Sequence, residues 1–244
     1  MSQATPLLFE KRRVLLVAGI ISVIYVVLFI LTAGARDTEI TLTINAWAVT
    51  TPPEFQAIMR IYTLYSYYVG GGVIYLLLIA SLKVERLQPH RAFLVSYAIG
   101  IGFVLIASSL LKLIIMRPRP ASTYKIPTLG LDIPPDSSFP SVHASVGFAL
   151  ATPPTCRFKN WTLRVLLAVY AVCLAFTRPF FGLHYITDIL VGSIIGIVGS
   201  VPFVFWFENL SVKETVTDEV LKKFILCATI AAAFILVLSI WANF

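Results

Sequence analysis

The chain has 244 residues, 58% of them hydrophobic and 13% charged, with a mean hydropathy of +0.88. That composition excludes an ordinary soluble domain and points to membrane spans, each needing about 20 consecutive apolar residues. A net charge of +7 would suit a nucleic-acid binder, but the cations fall mostly between apolar runs, where they set orientation and handle phosphate, so no nucleic-acid partner is expected.

Lys11-Arg12-Arg13 precede an uncharged run from Val14 to Ala33. Ala33-Gly34-Ala35 resembles a signal-peptidase site, yet the run exceeds the roughly 7–15 residues of a signal core, so a retained first helix is expected. Residues Arg36 to Ser66 are mixed. Ile40, Ile44, Trp47 and Ala48 recur at helical spacing opposite Asp37, Thr41 and Asn45, and Pro52-Pro53 ends the segment. An amphipathic piece lying in the membrane interface is expected, with a plain loop as the alternative. A second span covers about Ile61 to Leu82, entered through Tyr62, Tyr65, Tyr67 and Tyr68 and containing Gly70-Gly71-Gly72, which would permit close helix contact. The third runs from about Ala92 to Met116 and carries Lys112 near its end, where Pro118 and Pro120 prevent continuation.

A loop of about 20 residues rich in Pro, Ser and Asp comes next. The fourth span starts near Ser141 and is expected to stop by Pro153-Pro154; the fifth covers about Leu163 to Phe176 and the sixth about Tyr185 to Phe207. A charged linker from Lys213 to Lys223 then leads to a charge-free run, Phe224 to Phe244, long enough for a seventh span. The fold class is therefore all-α, a polytopic membrane helix bundle forming one domain over residues 1–244. Cys156, Cys173 and Cys227 are scattered, with neither metal-ligand spacing nor an obvious pairing.

Lys and Arg crowd one set of loops, at Lys11–Arg13, Lys83–Arg91, Arg157–Arg164 and Lys213–Lys223. The opposite set holds only Arg36, Arg60, Arg117 and Lys125 besides the candidate site residues. The positive-inside rule makes the first set cytoplasmic, and with it the N-terminus in a cell membrane. Counting helices then brings Arg119, His143, Arg178 and His184 together on the outer side.

Ionisable residues in so apolar a chain suggest a functional site. Lys112 and Arg119 are seven apart, about two helical turns on one face, and read together as two arms of an anion clamp. Ser141 follows Pro140 and opens an apolar helix as a natural N-cap, so the first-turn amides of Val142 and His143 would point at an anion. His143 could give a proton to a leaving oxygen. His184 and Asp188 are four apart and share a helix face; a carboxylate on one imidazole nitrogen leaves the other free as base or nucleophile. Arg178 crosses the connecting loop as a third cation. A structural helix-end pair is the bland alternative for His184 and Asp188. Taken together, the residues describe a phosphate-ester hydrolase site.

Lys112-x6-Arg119-Pro120, Pro140-Ser141-x-His143 and Arg178-x5-His184-x3-Asp188 resemble the three motifs of the type 2 phosphatidic acid phosphatase family, which is related to the vanadium haloperoxidases and bacterial acid phosphatases. The resemblance implies a six-helix phosphatase core with the motifs at 112–188; the seventh apolar run, Phe224 to Phe244, lies beyond the core typical of the family. It implies that His184 attacks phosphorus to form a phosphohistidine with Asp188 in support, and that His143 protonates the leaving group. Lys112, Arg119 and Arg178, with Ser141, Val142 and the local amides, would hold the phosphoryl oxygens, with no metal or other cofactor. Val142 stands where the family usually has Gly, and Thr177 where it has Ser before Arg178. The expected substrate is a lipid phosphate or diphosphate in the bilayer, first a polyprenyl diphosphate of undecaprenyl or dolichyl type. Phosphatidate, phosphatidylglycerophosphate or a sphingoid phosphate would suit the same cage, as would a lipid phosphotransferase. A seven-helix transporter or receptor is the reading of a different class. The short fourth span places the site below the outer surface, reached sideways past Tyr62–Tyr68 and the Trp47 segment.

Overall fold

The computed structural model describes Ile24, residues 35–209 and residues 216–241. Apart from Ile24, the expected first helix (Val14–Ala33) lies outside the described residues, as do Lys213 and the last three residues of the expected seventh span. In chain order the helices are α1 (Ala35–Thr50), α2 (Pro53–Ala80), a 3-10 turn (Glu85–His90), α3 (Arg91–Ile115), the short α4 (Pro120–Tyr124), α5 (Val142–Arg157), α6 (Trp161–Phe180), α7 (Ile186–Asn209) and α8 (Asp218–Trp241). No strand occurs among the described residues, so the fold is all-α. Among the described residues, four segments are long and apolar enough to cross a membrane: Pro53–Ala80, Glu85–Tyr124, Trp161–Phe180 and Ile186–Val204. The chain is an integral membrane helix bundle.

The bundle closes around α5. Its Ala144, Ser145, Val146, Ala149 and Leu150 are all buried, and Ser108 of α3 donates to Ser145 Oγ at 2.9 Å. Helix α7 comes closest. A Cβ at Gly192 would lie 2.5 Å from the Ser141 carbonyl, and one at Gly196 would lie 2.2 Å from that of Ser145. These two glycines, four apart, let two backbones touch, as small residues do between membrane helices. The expected close contact at Gly70–Gly72 is confined to Gly70, whose Cβ would meet Leu150; Gly71 and Gly72 face open space.

Several boundaries differ from the sequence expectation. Helix α5 does not stop at Pro153-Pro154 but runs through them to Arg157. Pro154 cannot donate to the Leu150 carbonyl, and the Tyr97 hydroxyl of α3 donates there instead. Helix α2 begins at Pro53 rather than Ile61, because proline is well suited to a first helical turn. Helix α6 spans Trp161–Phe180 and includes Pro179, so Arg178 sits in its last turn and not in a connecting loop. Helix α8 starts at Asp218, placing Asp218, Glu219, Lys222 and Lys223 on a helix. Thr217 Oγ1 accepts from the Val220 amide at 3.4 Å, and Asp218 pairs with Arg91 at 2.7 Å.

The segment from Arg36 forms the helix α1, with the opposite side inward from the usual one. Asp37, Thr41 and Asn45 are buried, whereas Ile40 and Trp47 are exposed. The polar stripe serves the start of α7, whose first amides need acceptors. Thr41 Oγ1 accepts from the Ile186 amide at 3.3 Å, and Asp37 Oδ1 from that of Thr187 at 3.0 Å. Asn45 donates to the Pro127 and Phe180 carbonyls, each at 2.9 Å. The basic segments near Arg91 and Arg157 gather at one end of the bundle, where Arg157 Nη2 is 3.2 Å from His90 Nδ1. The starts of α5 and α7 meet at the other end, where the Ser141 amide donates to the Asp188 carbonyl at 3.0 Å.

Because the α5–α7 approach leaves no room for a side chain, Gly196→Val is expected to lower the thermal midpoint in detergent sharply, by about 1–3 kcal/mol of overpacking or more. Gly71→Ala, in open space, should be neutral or stabilising by up to about 1 kcal/mol. Equal melting of the two variants would contradict the packing described.

Candidate active site

At that second end, a cavity of about 240 Å³ is lined by Tyr67, Lys112, Arg119, Val142, His143, Arg178, His184 and, from the loop before α5, Pro134 and Asp136. Lys112, Arg119 and Arg178 come from the ends of three different segments, and each is at most 9% exposed. Cations this deep need partners. Arg178 Nη1 donates to Thr63 Oγ1 at 2.9 Å, and Thr63 Oγ1 is 2.7 Å from the Thr177 hydroxyl. The Thr at 177 thus helps to orient the arginine beside it. Arg178 Nε is buried and has no hydrogen-bond partner among the described residues, a donor free for an anion.

Lys112 and Arg119 are already engaged. Lys112 Nζ lies 3.1 Å from Asp136 Oδ2 and donates to the Ser137 carbonyl, while Arg119 Nη2 holds Asp136 Oδ1. Asp136 is about half exposed. Its partial burial disfavours the charge, but Arg119 and Lys112 outweigh that and hold the carboxyl below its ordinary range. A loop carboxylate therefore rests on two of the three cage cations. The wall shared with an adjoining cavity of about 530 Å³ includes Asp136, Lys112 and Arg119.

His184 is 2% exposed and precedes α7 by two residues. Arg119 Nη1 is 3.0 Å from His184 Nε2. A guanidinium can only donate, so Nε2 carries the lone pair and the ring proton is on Nδ1. Nδ1 lies 3.5 Å from Asp188 Oδ2, beyond an ordinary hydrogen bond. Burial first, then the charges of Arg178, Arg119 and Lys112, hold the imidazole well below its usual 6.5. The ring is neutral, with a lone pair available at physiological pH.

Asp188 is fully buried behind His184. Its Oδ2 also accepts from the Tyr185 amide at 2.9 Å, as an N3 carboxylate reaching back to an N-cap. Its Oδ1 is held by Arg117 Nη1 at 2.7 Å. Asp188 therefore does not face His184 alone: the helix end and a fourth cation share it. Ser141 does cap α5, its Oγ accepting from the Ala144 amide at 3.4 Å, and it stands behind the cavity rather than in its wall. Val142 lines the wall at the first helical position. Among the described non-glycine residues, positive φ falls at Met116, Lys125 and Leu129, so Val142 meets no backbone strain in place of Gly. Tyr67 packs edge-on against His143, with centroids 4.9 Å apart. The Trp47 segment contributes no lining residue; Trp47 stacks on Phe55, Phe176 and Phe180.

Sequence reasoning missed Asp136, Arg117, Asp37 and Thr63. Arg117-Pro118 repeats the Arg119-Pro120 step two residues earlier, a signal that was available.

The chain is similar to known proteins in sequence and in fold. The sequence model of the PAP2 superfamily matches residues 93–212. A probable lipid phosphate phosphatase beta of Arabidopsis thaliana is 32% identical over 145 residues, 48% of this chain and 67% of that protein. A lipid A 4'-phosphatase of Bacteroides thetaiotaomicron is 36% identical over 75 residues, 31% of this chain and 33% of its own. The Escherichia coli protein named putative undecaprenyl-diphosphatase YbjG is 39% identical over 64 residues, 26% of this chain and 32% of its own. The chain thus spans about a third of the length of two of these relatives. The crystal structure of a PAP2 type phosphatidylglycerolphosphate phosphatase from Bacillus subtilis shares the fold, with a TM-score of 0.62 over 80% of this chain and 97% of that one, at 17% identity.

Two outcomes are expected from the site geometry. An anion entering the cavity competes with Asp136, so Asp136→Asn should strengthen inhibition by orthophosphate roughly 3- to 10-fold; unchanged inhibition would contradict that competition. The second concerns pH. Below about 6.5 the unfolded chain takes up a proton at His184 that the folded chain refuses, so stability is lost as pH falls below 6.5, by up to about 1.4 kcal/mol per unit. Above 6.5 the group contributes no slope. Unfolding free energy should therefore fall more steeply on acidification for the parent protein than for His184→Asn, and equal slopes would argue against a neutral buried ring.

Proposed function

The chain belongs to the PAP2 superfamily, and from that premise we propose that it is a phosphoric-ester hydrolase of lipid phosphates that works through a phosphohistidine on His184 without a metal ion. The observation carrying this reading is the His184 Nε2 lone pair, held in a buried cavity between Lys112, Arg119 and Arg178. In the proposed reaction the substrate phosphate displaces Asp136 and draws Arg119 off Nε2. The entering phosphate offsets the cation charges that keep His143 neutral at rest and delivers a proton to its ring; Nε2 attacks phosphorus in line, the bond to the leaving oxygen breaks, and the His143 imidazolium gives that oxygen the proton. Water then attacks the phosphorus of the P–N adduct, returning a proton to His143 and the bonding pair to Nε2. The three cations stabilise the equatorial oxygens throughout, the part that Mg²⁺ takes in many phosphoryl transfers. Asp188 would support the cationic ring across the 3.5 Å gap.

We further propose a polyprenyl diphosphate as substrate, with the site on the extracytoplasmic side of a cell membrane and the N-terminus in the cytoplasm. The charge asymmetry of the loops supports that orientation, and the matched stretch of the Escherichia coli relative supports the substrate. A third cavity of about 540 Å³, lined mostly by apolar side chains, begins at Ser66 beside Tyr67 and follows α2 as far as Leu77. The eleven helical steps from Ser66 to Leu77 give it about 16 Å of length, room for the start of a lipid tail.

Purified protein should release free phosphate stoichiometrically from undecaprenyl diphosphate, and faster than from phosphatidate or lipid A. His184→Ala should abolish release at an unchanged melting temperature, and EDTA should leave it intact. Metal-dependent turnover, or a working His184→Ala variant, would overturn the mechanism. Transfer of the phosphoryl group to a second lipid without free phosphate would make the protein a phosphotransferase.

A further inference from the structure

The geometry points to Arg117, balanced by Asp37, as a positioning residue that fixes the carboxylate of Asp188 behind the nucleophile. This rests on the phosphohistidine reading. Arg117 lies just beyond the end of α3, where its amide donates to Ser137 Oγ at 2.9 Å. Its guanidinium bridges two buried carboxylates on different helices. Nη1 reaches Asp188 Oδ1 at 2.7 Å and Nη2 reaches Asp37 Oδ2 at 2.8 Å. Nη1 also donates to Thr187 Oγ1 at 2.7 Å, and the group lies over the Tyr185 ring at 3.8 Å. A planar fork with fixed donors holds a carboxylate in one rotation, which a flexible ammonium does less well.

The consequence falls on the other oxygen. With Oδ1 held by Arg117 and Oδ2 bonded to the Tyr185 amide, the carboxylate plane is set, and Oδ2 is the atom presented to His184 Nδ1. A fully buried carboxylate without Arg117 would keep one amide, the Ser138 hydroxyl and a ring 3.5 Å away, all neutral and too little to hold it charged and in one orientation. Asp37 has a separate part. It accepts from the Thr187 amide at 3.0 Å and the Thr187 hydroxyl at 2.5 Å, which ties it to the helix turn that carries Asp188. By taking the other half of the guanidinium, it leaves the Arg117–Asp37–Asp188 group with a net charge of −1, so Asp188 still offers negative charge to the ring. Asp37 lies in α1, outside the stretch 93–212 that carries the family match. Support for the nucleophile thus reaches into a part of the chain that match does not cover.

The test compares Arg117→Gln, Arg117→Lys, Asp37→Asn and the double variant Arg117→Gln/Asp37→Asn, with His184→Ala as control. For each, kcat on a lipid phosphate, the inhibition constant of orthophosphate and the melting temperature are measured. A positioning role predicts that Arg117→Gln lowers kcat roughly 10- to 100-fold, as loss of a group that orients a reacting side chain does elsewhere, with orthophosphate inhibition unchanged. Arg117→Lys should recover part of the loss. Asp37→Asn should lose less, and the double variant should be no worse than Arg117→Gln alone, because the two act as one unit. Full kcat in Arg117→Gln overturns the inference, as does parallel loss of kcat and orthophosphate affinity, which would make Arg117 a phosphate ligand or a purely structural tie. Should Arg117→Gln fail to fold, Arg117→Lys and Asp37→Asn decide by the same two readings. An active His184→Ala would instead show that the phosphohistidine reading had failed.

Discussion

Charge buried inside an apolar chain is the condition on which this bundle depends. Four cations, Lys112, Arg117, Arg119 and Arg178, stand close to three carboxylates, Asp37, Asp136 and Asp188, and all but Asp136 and Arg117 are at most 9% exposed. Counted formally, four positive and three negative groups leave +1 with the histidines neutral. Isolated, any one of them would cost several kcal/mol in such a setting. Together they are tolerable, and the residual positive charge suits a site whose ligand is an anion. Asp136, on a loop and half exposed, is the member of the set best placed to leave.

That condition also accounts for the helix that looks reversed. In α1 the stripe Asp37, Thr41 and Asn45 turns inward because α7 begins inside the protein, where its first amides find no water. Of the apolar stripe, Ile40 and Trp47 are left on the outside, while Ala48 is buried with Phe180 and Phe181. Amphipathicity in a membrane protein has no fixed sense, since the surroundings are apolar and the interior near a site can be the polar side.

The sequence made legible the features that depend on spacing along the chain. Long apolar runs announced an all-α bundle, and the intervals Lys112 to Arg119 and His184 to Asp188 identified residues that the fold brings to one cavity or directly behind it. Features that depend on partners distant in the chain were not legible. A double proline reads as a helix stop until Tyr97, 53 residues from Leu150, supplies the missing donor. Arg117 reads as an ordinary loop cation until Asp37, 80 residues away, and Asp188 close on it. Asp136 reads as loop composition, and three consecutive glycines in α2 draw the eye from Gly192 and Gly196, where the backbones touch. Local rules describe what a residue can do alone; these residues are explained by what stands opposite them.

The central claim is that His184 Nε2 is the attacking atom inside a cage of Lys112, Arg119 and Arg178. A crystal structure with orthovanadate tests it most directly, because vanadium adopts the five-coordinate geometry of the phosphoryl transition state. The account predicts vanadium bonded to His184 Nε2, its equatorial oxygens on the three cations, His143 beside the apical oxygen, and Asp136 displaced from Lys112 and Arg119. Vanadate bound elsewhere, or bound with Nε2 still held by Arg119 and Asp136 still seated on the cations, would contradict it.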